Sequence, residues 1–352
     1  MENGMSSTLN QKSTAINMSD IARVAQVSRP TVSIVLNGRH TSARISEETR
    51  DRVLQVARDL GYRRNALAHA VKTGRSYTLG FLTTAADTEY SLLILSGILS
   101  EAEQRGYTVK RFHLSNTEKD SEVIGRCSEE RPDGVIVNDY GRGPCLDELR
   151  REFETHSIPH VWLNSKERIP GIHVYPRDEE GIYQAVRHLI ELGHKRIGFI
   201  GGKEKLGTGI HRAAGFRRAI REAGLDDSFI CWTNWDGKIA EEYAEEAVGN
   251  LGVTAFITGS DALALLIMLK FHRMGLRIPE EVSVIGCGDM VRVSNSYPPL
   301  TTVSVPYKEL GRASVNKLLA LLNEAEATTD SEEVPIMTPL VIRESTGKAP
   351  VC

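Results

Sequence analysis

Residues 19–62 read SDIARVAQVSRPTVSIVLNGRHTSARISEETRDRVLQVARDLGY. Ser19 and Asp20 are capping residue types just ahead of Ile21, Ala22, Val24 and Ala25, which predict a first helix of about two turns with an apolar face. Ala25-Gln26-Val27-Ser28 breaks that period. Ser28 is placed to cap a second helix running to Leu36, with Pro30 in the first turn, where a missing N–H has no intrahelical partner to lose. Val32, Val35 and Leu36 fall on its inner face, and Arg29, Pro30, Thr31, Ser33 and Ile34 on its outer and leading faces. Asn37-Gly38 ends it, since both residues tolerate positive φ. Ser46 starts a third helix with Val53, Val56 and Leu60 as its buried stripe, closed by Gly61. Three short helices with a tight turn after the first make a helix-turn-helix layout.

Charge supports that layout. Residues 1–76 hold twelve Lys/Arg against six Asp/Glu, while the whole chain is formally −3, so the head is +6 and the remainder −9. A basic head suits phosphate contact, and an acidic body does not compete for it. The five cysteines (127, 145, 231, 287 and 352) are odd in number and scattered, without a CxxC pair. They fit a reducing compartment better than a disulfide framework or a zinc site. Residues 1–16 are expected to be a polar disordered tail, not a signal peptide. The longest apolar run, Ala262 to Leu269, is far short of the roughly 20 residues that cross a bilayer. A cytoplasmic protein with no membrane segment, metal or cofactor is therefore expected.

From residue 77 short apolar runs alternate with amphipathic stretches. The candidate strands are 78–83, 108–112, 134–138, 160–163, 196–200, 254–258 and 282–287. Candidate helices between and after them include 92–105, 179–192, 212–223, 238–250, 262–274 and 308–323. Such alternation predicts two doubly wound lobes with parallel sheets covered on both faces. Ligands of these folds sit at the carboxyl ends of the strands. A nucleotide-using enzyme is disfavoured: Gly198-Phe199-Ile200-Gly201-Gly202-Lys203 has neither G-x-G-x-x-G nor Walker spacing, and no G-x-S-x-G elbow occurs. A stand-alone transport binding protein would fit the body but not the basic head.

Residues 24–38, VAQVSRPTVSIVLNG, resemble the recognition-helix signature of the LacI/GalR family of bacterial regulators. The resemblance continues through NALAHAV (65–71), HLIELGHKRI (188–197), PEEVSVIG (279–286) and PPLTTV (298–303), and covers about residues 18–346. It implies an all-α helix-turn-helix head at 17–63, a hinge helix at 64–76 and a periplasmic-binding-protein-like α/β core at 77–346, ahead of a tail at 347–352. The lobes would comprise about 77–175 with 304–330, and 176–303 with 331–346, joined by three hinge strands. The implied function is sequence-specific transcriptional regulation, with repression as the default. A homodimer would bind a pseudo-palindromic operator in double-stranded DNA near the nucleoid. A small-molecule effector between the lobes, or else a protein corepressor, would modulate it. No leucine heptads follow Arg343, so a dimer without a tetramerisation coil is expected.

Residue by residue, the resemblance assigns DNA contact in the head to Met18, Ser28, Arg29, Pro30, Thr31, Ser33, Ile34 and Asn37. In the hinge it assigns minor-groove contact to Asn65, Ala68, Val71 and Lys72, with His69 beside them. Effector contact falls to Thr84, Tyr90, Asn164, Arg212, Trp235, Ser260, Asp261 and Gly288. Several positions depart from the family pattern. Ile34 replaces a polar residue and can only touch a thymine methyl or pack, which leaves Arg29 to read guanine or to grip phosphate. Gln26 stands where Gly is usual, at a cost of up to about 1 kcal/mol if the turn is left-handed. Arg64 replaces Pro, and Val71 offers a smaller wedge than the usual Leu. Gly288 and Ser260 replace an Asp and an Asn that hold sugar hydroxyls. A plain hexose is therefore disfavoured, and a larger, anionic or less hydroxylated ligand is left open.

Overall fold

The structure, a computed structural model, describes residues 16–36, 45–63, 70–71, 73–85, 88–115, 117, 119–138, 146–164, 170–323 and 332–350. Two compact units divide the chain, Met1–Ser76 and Tyr77–Cys352. The predicted tail before Ile16, and the Asn37-Gly38 helix end, lie outside the described residues.

In the first unit α1 spans Met18–Ala25, α2 Arg29–Leu36 and α3 Glu47–Asp59. The cap of α1 is Asn17, earlier than Ser19 or Asp20. Its side chain accepts from the Ser19 N–H (2.8 Å), and Asp20 reaches back to accept from the Asn17 N–H (3.0 Å), a reciprocal capping box. Ile21, Ala22 and Ala25 pack with Val32, Val35, Val53 and Ala57. Val24, expected on that face, is instead 51% exposed, because it sits at the fringe of the arc that those three α1 residues define. Gln26 takes the left-handed conformation (φ 54°, ψ 44°), and its N–H closes α1 on the Ala22 carbonyl. Ser28 and Ser46 cap α2 and α3 as read, accepting from the N–H groups of Thr31 (3.2 Å) and Thr49 (3.3 Å).

The second unit holds two six-stranded sheets. In the first, β1 (Thr78–Thr83), β2 (Thr108–His113), β3 (Gly134–Asn138), β4 (His160–Leu163), β5 (Ile172–Pro176) and β11 (Glu332–Ile336) run in the order β11-β5-β4-β3-β1-β2, all parallel. In the second, β6 (Ile197–Gly201), β7 (Ile230–Trp232), β8 (Ala255–Thr258), β9 (Ser283–Gly288), β10 (Thr301–Ser304) and β12 (Leu340–Val341) run β12-β10-β9-β8-β6-β7, with only β12 antiparallel. The helices are α4 (Glu89–Gln104), α5 (Asp120–Glu129), α6 (Leu146–Thr155), α7 (Asp178–Glu191), α8 (Gly207–Glu222), α9 (Gly237–Gly249), α10 (Asp261–Arg273) and α11 (Tyr307–Asn323). Leu79, Phe81, Ile136 and Leu163 pack under Ile94, Ile98, Leu310 and Leu318 in the first lobe, and Phe256, Phe271, Ile267 and Leu300 fill one face of the second. Burial on both faces is why the central strands read as unbroken apolar runs.

The chain crosses between the sheets three times: after Pro176, after Ser304 and after Ile336. One boundary differs from the sequence reading. Glu332–Ile336, placed there in the second lobe, pairs with Ile172–Pro176 in the first sheet. The helix before it, α11, packs on α4 and the first sheet, so the chain returns along the open edge of β5 before it crosses. Two further differences are local. Arg212 was read as opening its helix, but α8 begins at Gly207, with the Ile210 N–H bonded to the Leu206 carbonyl (2.9 Å) despite two glycines. Strands β5, β7, β10, β11 and β12 were also not among the seven candidates. The terminal segment is stitched to the second lobe: the buried His194 lies within hydrogen-bond distance of Thr254 (2.8 Å), Ser283 and the Gly347 carbonyl (3.1 Å each).

Candidate functional site

The head carries its candidate residues on α2. Arg29 and Pro30 are exposed at its leading end, and Thr31, Ser33 and Ile34 are half-exposed. Ser28 is exposed but committed, since its hydroxyl lies 2.8 Å from that of Thr31 and accepts the capping N–H. Met18 packs its side chain against the core of the head. In the hinge, Ala70, Val71 and Thr73 are helical, the Gly74 N–H bonds to the Ala70 carbonyl (2.8 Å), and Val71 is 88% exposed. Asn37, Arg64, Asn65, Ala68, His69 and Lys72 lie outside the described residues.

In the body the carboxyl ends of the two sheets face each other: a Cβ built on Gly207, at the start of α8, would sit 3.8 Å from the Asn164 carbonyl at the end of β4. On the first-lobe side, β1, β3 and β4 end in a hydrogen-bonded row. Asn164 donates to Asn138 (2.8 Å) and Asn138 to Thr83 (3.1 Å). Asn164 holds a left-handed φ of 58°, while its N–H bonds to the Val174 carbonyl (2.9 Å). Thr84 is half-buried next to this row, and the Tyr90 ring lies 5.7 Å from that of Tyr307, just past the second crossing.

The second-lobe side is arranged differently. Arg212 is buried, and its NH2 group donates to Asp178 Oδ1 (3.2 Å) while NH1 donates to the Gly259 carbonyl (2.6 Å). Its Nε lies 3.1 Å from Asp178 Oδ2, off the N–H direction, so that contact is an ion pair rather than a hydrogen bond. Burial pushes the guanidinium pKa down, but Asp178 overrides it and holds it above the ordinary value. Asp178 opens α7, where the helix N-terminus favours a carboxylate. Ser260 caps α10 through the Leu263 N–H (3.3 Å). Asp261 accepts from the Thr302 hydroxyl (2.6 Å) and the Met290 N–H (2.8 Å), and burial raises its pKa despite both bonds. Asp289 pairs with Arg343 (2.6 Å). Gly288 has φ 142°, and a Cβ there would lie 3.1 Å from Asp261 Oδ2. An Asp, the residue that the resemblance implies at this position, would be both strained and set against a buried carboxylate.

Trp235 is the exposed candidate on this side, 40% accessible, at φ 69°. Its ring lies on Gly202, where a Cβ would overlap it. The turn beneath is held by Thr233, which donates to the Gly201 carbonyl (2.9 Å) and accepts from the Trp235 N–H (3.1 Å). Sequence reasoning missed Asp178, Asn138, Thr83, Thr302 and Tyr307. The signal for Asn138 was available, as a polar residue ending an apolar strand. Asp178 looked like an ordinary acidic first turn of a helix. A cavity of about 450 Å³ opens at the first crossing, lined by Tyr175, Arg177, Asp178, Glu180, His211 and Pro335, so Asp178 borders it as well as holding Arg212.

Residues 17–65 match the family model described as bacterial regulatory proteins, lacI family, and residues 186–346 match the periplasmic binding protein-like domain. The HTH-type transcriptional repressor PurR of Vibrio atlanticus is 30% identical over 341 residues, spanning 94% of this chain and 98% of that protein. PurR of Salmonella arizonae is 30% identical over 338 residues, spanning 94% and 97%. The lac repressor dimer bound to operator and the anti-inducer ONPF superposes with a TM-score of 0.80 at 26% identity, covering 95% of this chain and all of that one. These relatives are repressors, not enzymes, and no helix among the described residues is long and apolar enough to cross a membrane. The chain belongs to the lacI family of bacterial regulatory proteins, transcriptional regulators that bind operator DNA as dimers and respond to small-molecule effectors.

Proposed function

We propose that this regulator represses transcription from a pseudo-palindromic operator, in the cytoplasm and on the nucleoid. Each protomer of a homodimer presents α2 to a major groove, and Arg29 reads a guanine edge there. Thr31, Ser33 and Ile34 supply the remaining contacts, and Val71 enters the central minor groove as a wedge. The observation that carries this reading is the exposed leading end of α2, with Arg29 and Pro30 turned away from a head core completed without them.

The effector occupies the space between the strand ends of the two lobes, with Trp235 covering one face and Tyr90, Thr84 and Asn164 across from it. Binding changes the relation of the lobes, and DNA affinity follows by linkage. The test is selection of genomic fragments by the full-length protein, followed by affinity measurement at two salt concentrations. The expected result is a two-fold-symmetric site, strongly preferred over random DNA, with a steep salt dependence. Weak binding to all sequences alike, or none at low salt from folded protein, overturns it.

A further inference from the structure

A further cavity, of about 630 Å³, lies between α8 and the free edge of the second sheet. Strand β7 is last in that sheet and pairs only with β6. Its Trp232 forms one wall. The indole lies over Gly201, where a Cβ would overlap it, and meets the Phe199 ring edge-on at 5.8 Å. The other wall is α8: Ala213 and Ala214 line the cavity with little bulk, and Ile210 and Arg217 line it one turn before and one turn after them. No residue assigned to the effector borders this space, and Arg212, two positions from Ala214, is on the opposite face of the helix, buried against Asp178. Most charges around the cavity are committed. Arg218 is held by Glu179 and Glu180 (2.8 Å each), Arg221 by Asp227 (2.7 Å), and Glu222 accepts from the Tyr183 hydroxyl (2.7 Å). Arg217 is half-buried, and among the described residues its guanidinium has no ion pair or hydrogen bond. Glu204 at the rim is unpaired too, but exposed Lys203 and Lys205 flank it in sequence, so the rim is net positive on a body whose formal charge is negative.

We propose that this cavity is a second small-molecule site, separate from the cleft, which takes a flat ring compound bearing a carboxylate or a phosphate. The ring lies between Trp232 and the two alanines, and Arg217 holds the anion. A planar guanidinium forks onto two oxygens of either anion, and an indole offers an apolar face to a ring. The volume falls within the range of small-molecule sites, about 300–1,000 Å³. The two walls select jointly. A ring without the anion leaves Arg217 unpaired, and a bare anion leaves the indole and the alanines in water.

The chain has three tryptophans, Trp162, Trp232 and Trp235, so fluorine NMR of the full-length protein labelled with 5-fluorotryptophan reads this cavity and the cleft separately. Trp232→Phe and Trp235→Phe assign the lines. The probe is phenyl phosphate at constant ionic strength, compared with inorganic phosphate and with phenol. Phenyl phosphate should shift the Trp232 line saturably and leave the Trp235 line in place, and neither half-probe should do so at the same concentration. Arg217→Gln should weaken binding by about tenfold or more. Arg221→Gln removes the same charge from an arginine already committed to Asp227, and should change binding by less than about threefold. Arg217 belongs to neither packed core of the second unit, and an unmoved line from the fully buried Trp162 checks the fold of each variant. Absence of a saturable Trp232 shift overturns the proposal, and so does a shift that the two arginine variants weaken alike. Movement of the Trp235 line alone would send the probe to the cleft instead, and equal binding of inorganic phosphate would refute the ring as part of what is recognised.

Discussion

The leading end of α2 and the floor of the cleft use the same chemical parts, an arginine among hydroxyls, in opposite states. Arg29 is exposed and, among the described residues, holds no ion pair. Arg212 is buried and spends its charge on Asp178 and its NH1 on Gly259. A surface that meets a polyanion gains from side chains left in water until contact, because phosphate and base edges then supply the partners. A cleft floor that must stay folded without ligand cannot leave a charge unpaired, since an unpartnered buried charge costs several kcal/mol. The contrast predicts that deleting each arginine damages a different property.

The largest effect belongs to Arg212→Ala. It strands Asp178 in a buried site and should destabilise the second unit by about 3–5 kcal/mol in chemical denaturation. Asp178→Asn/Arg212→Gln, which removes both charges, should recover much of that loss. If Arg212→Ala leaves stability intact and changes only ligand response, the floor is less closed than the distances indicate.

Arg29→Ala comes next and should leave stability within about 0.5 kcal/mol of wild type. Operator binding should weaken by about 1–3 kcal/mol, with specificity relaxed at one base position. A uniform loss across all sequences, with the salt slope reduced by about one, would instead make Arg29 a phosphate contact.

How far the sequence could be read follows the same division. The head was legible because each of its signals is local: Ser28 and Ser46 cap the helices they precede, and Val32 and Val35 face inward at helical spacing. The alternation of strands and helices was legible for the same reason. Pairing across the chain was not. Glu332–Ile336 has no periodicity that says which sheet it joins, and only the open edge of β5 decides it. Asp178 and Arg212 stand 34 residues apart, so nothing local shows that the first neutralises the second. Trp235 was named from the resemblance alone; the left-handed turn and the Gly202 beneath its ring are what the structure adds, and the short strand before it had no signal of its own. Ser260 and Asp261 were named for their place after β8, and the structure gives both internal partners.

Asp261 provides a pH test of the closed floor. Burial raises its carboxyl pKa in the folded protein, so the folded state holds the proton more tightly than the unfolded chain does. The associated stability is fully present below the ordinary aspartate range and is lost as pH rises through the raised folded value. Asp261→Asn keeps a neutral group throughout, and its amide can accept from the Met290 N–H while donating to Thr302. The stability of Asp261→Asn relative to wild type should therefore rise across that window and be flat below it, read from denaturation midpoints in a pH series. A difference constant with pH would mean that the buried carboxyl titrates like an exposed one.

The smallest effect separates strain in the head from contact with DNA. Gln26 sits at φ 54°, a conformation that a residue with a Cβ adopts at a cost of about 1 kcal/mol. Gln26→Gly removes that strain but also loosens the unfolded chain, which offsets part of the gain. The net expectation is a head stabilised by a few tenths to about 1 kcal/mol. It should be visible as slower hydrogen exchange at the α1 and α2 amides of the full-length protein, with the second unit unchanged. The Gln26 side chain is exposed, and its backbone N–H still closes α1 on Ala22, so the substitution costs the fold no contact that it uses. Operator affinity should then hold, because Arg29 and Pro30 keep the same helix beneath them. A loss of affinity with unchanged exchange would instead place the Gln26 side chain among the DNA contacts, and would extend the uncommitted surface of the head into the turn before α2.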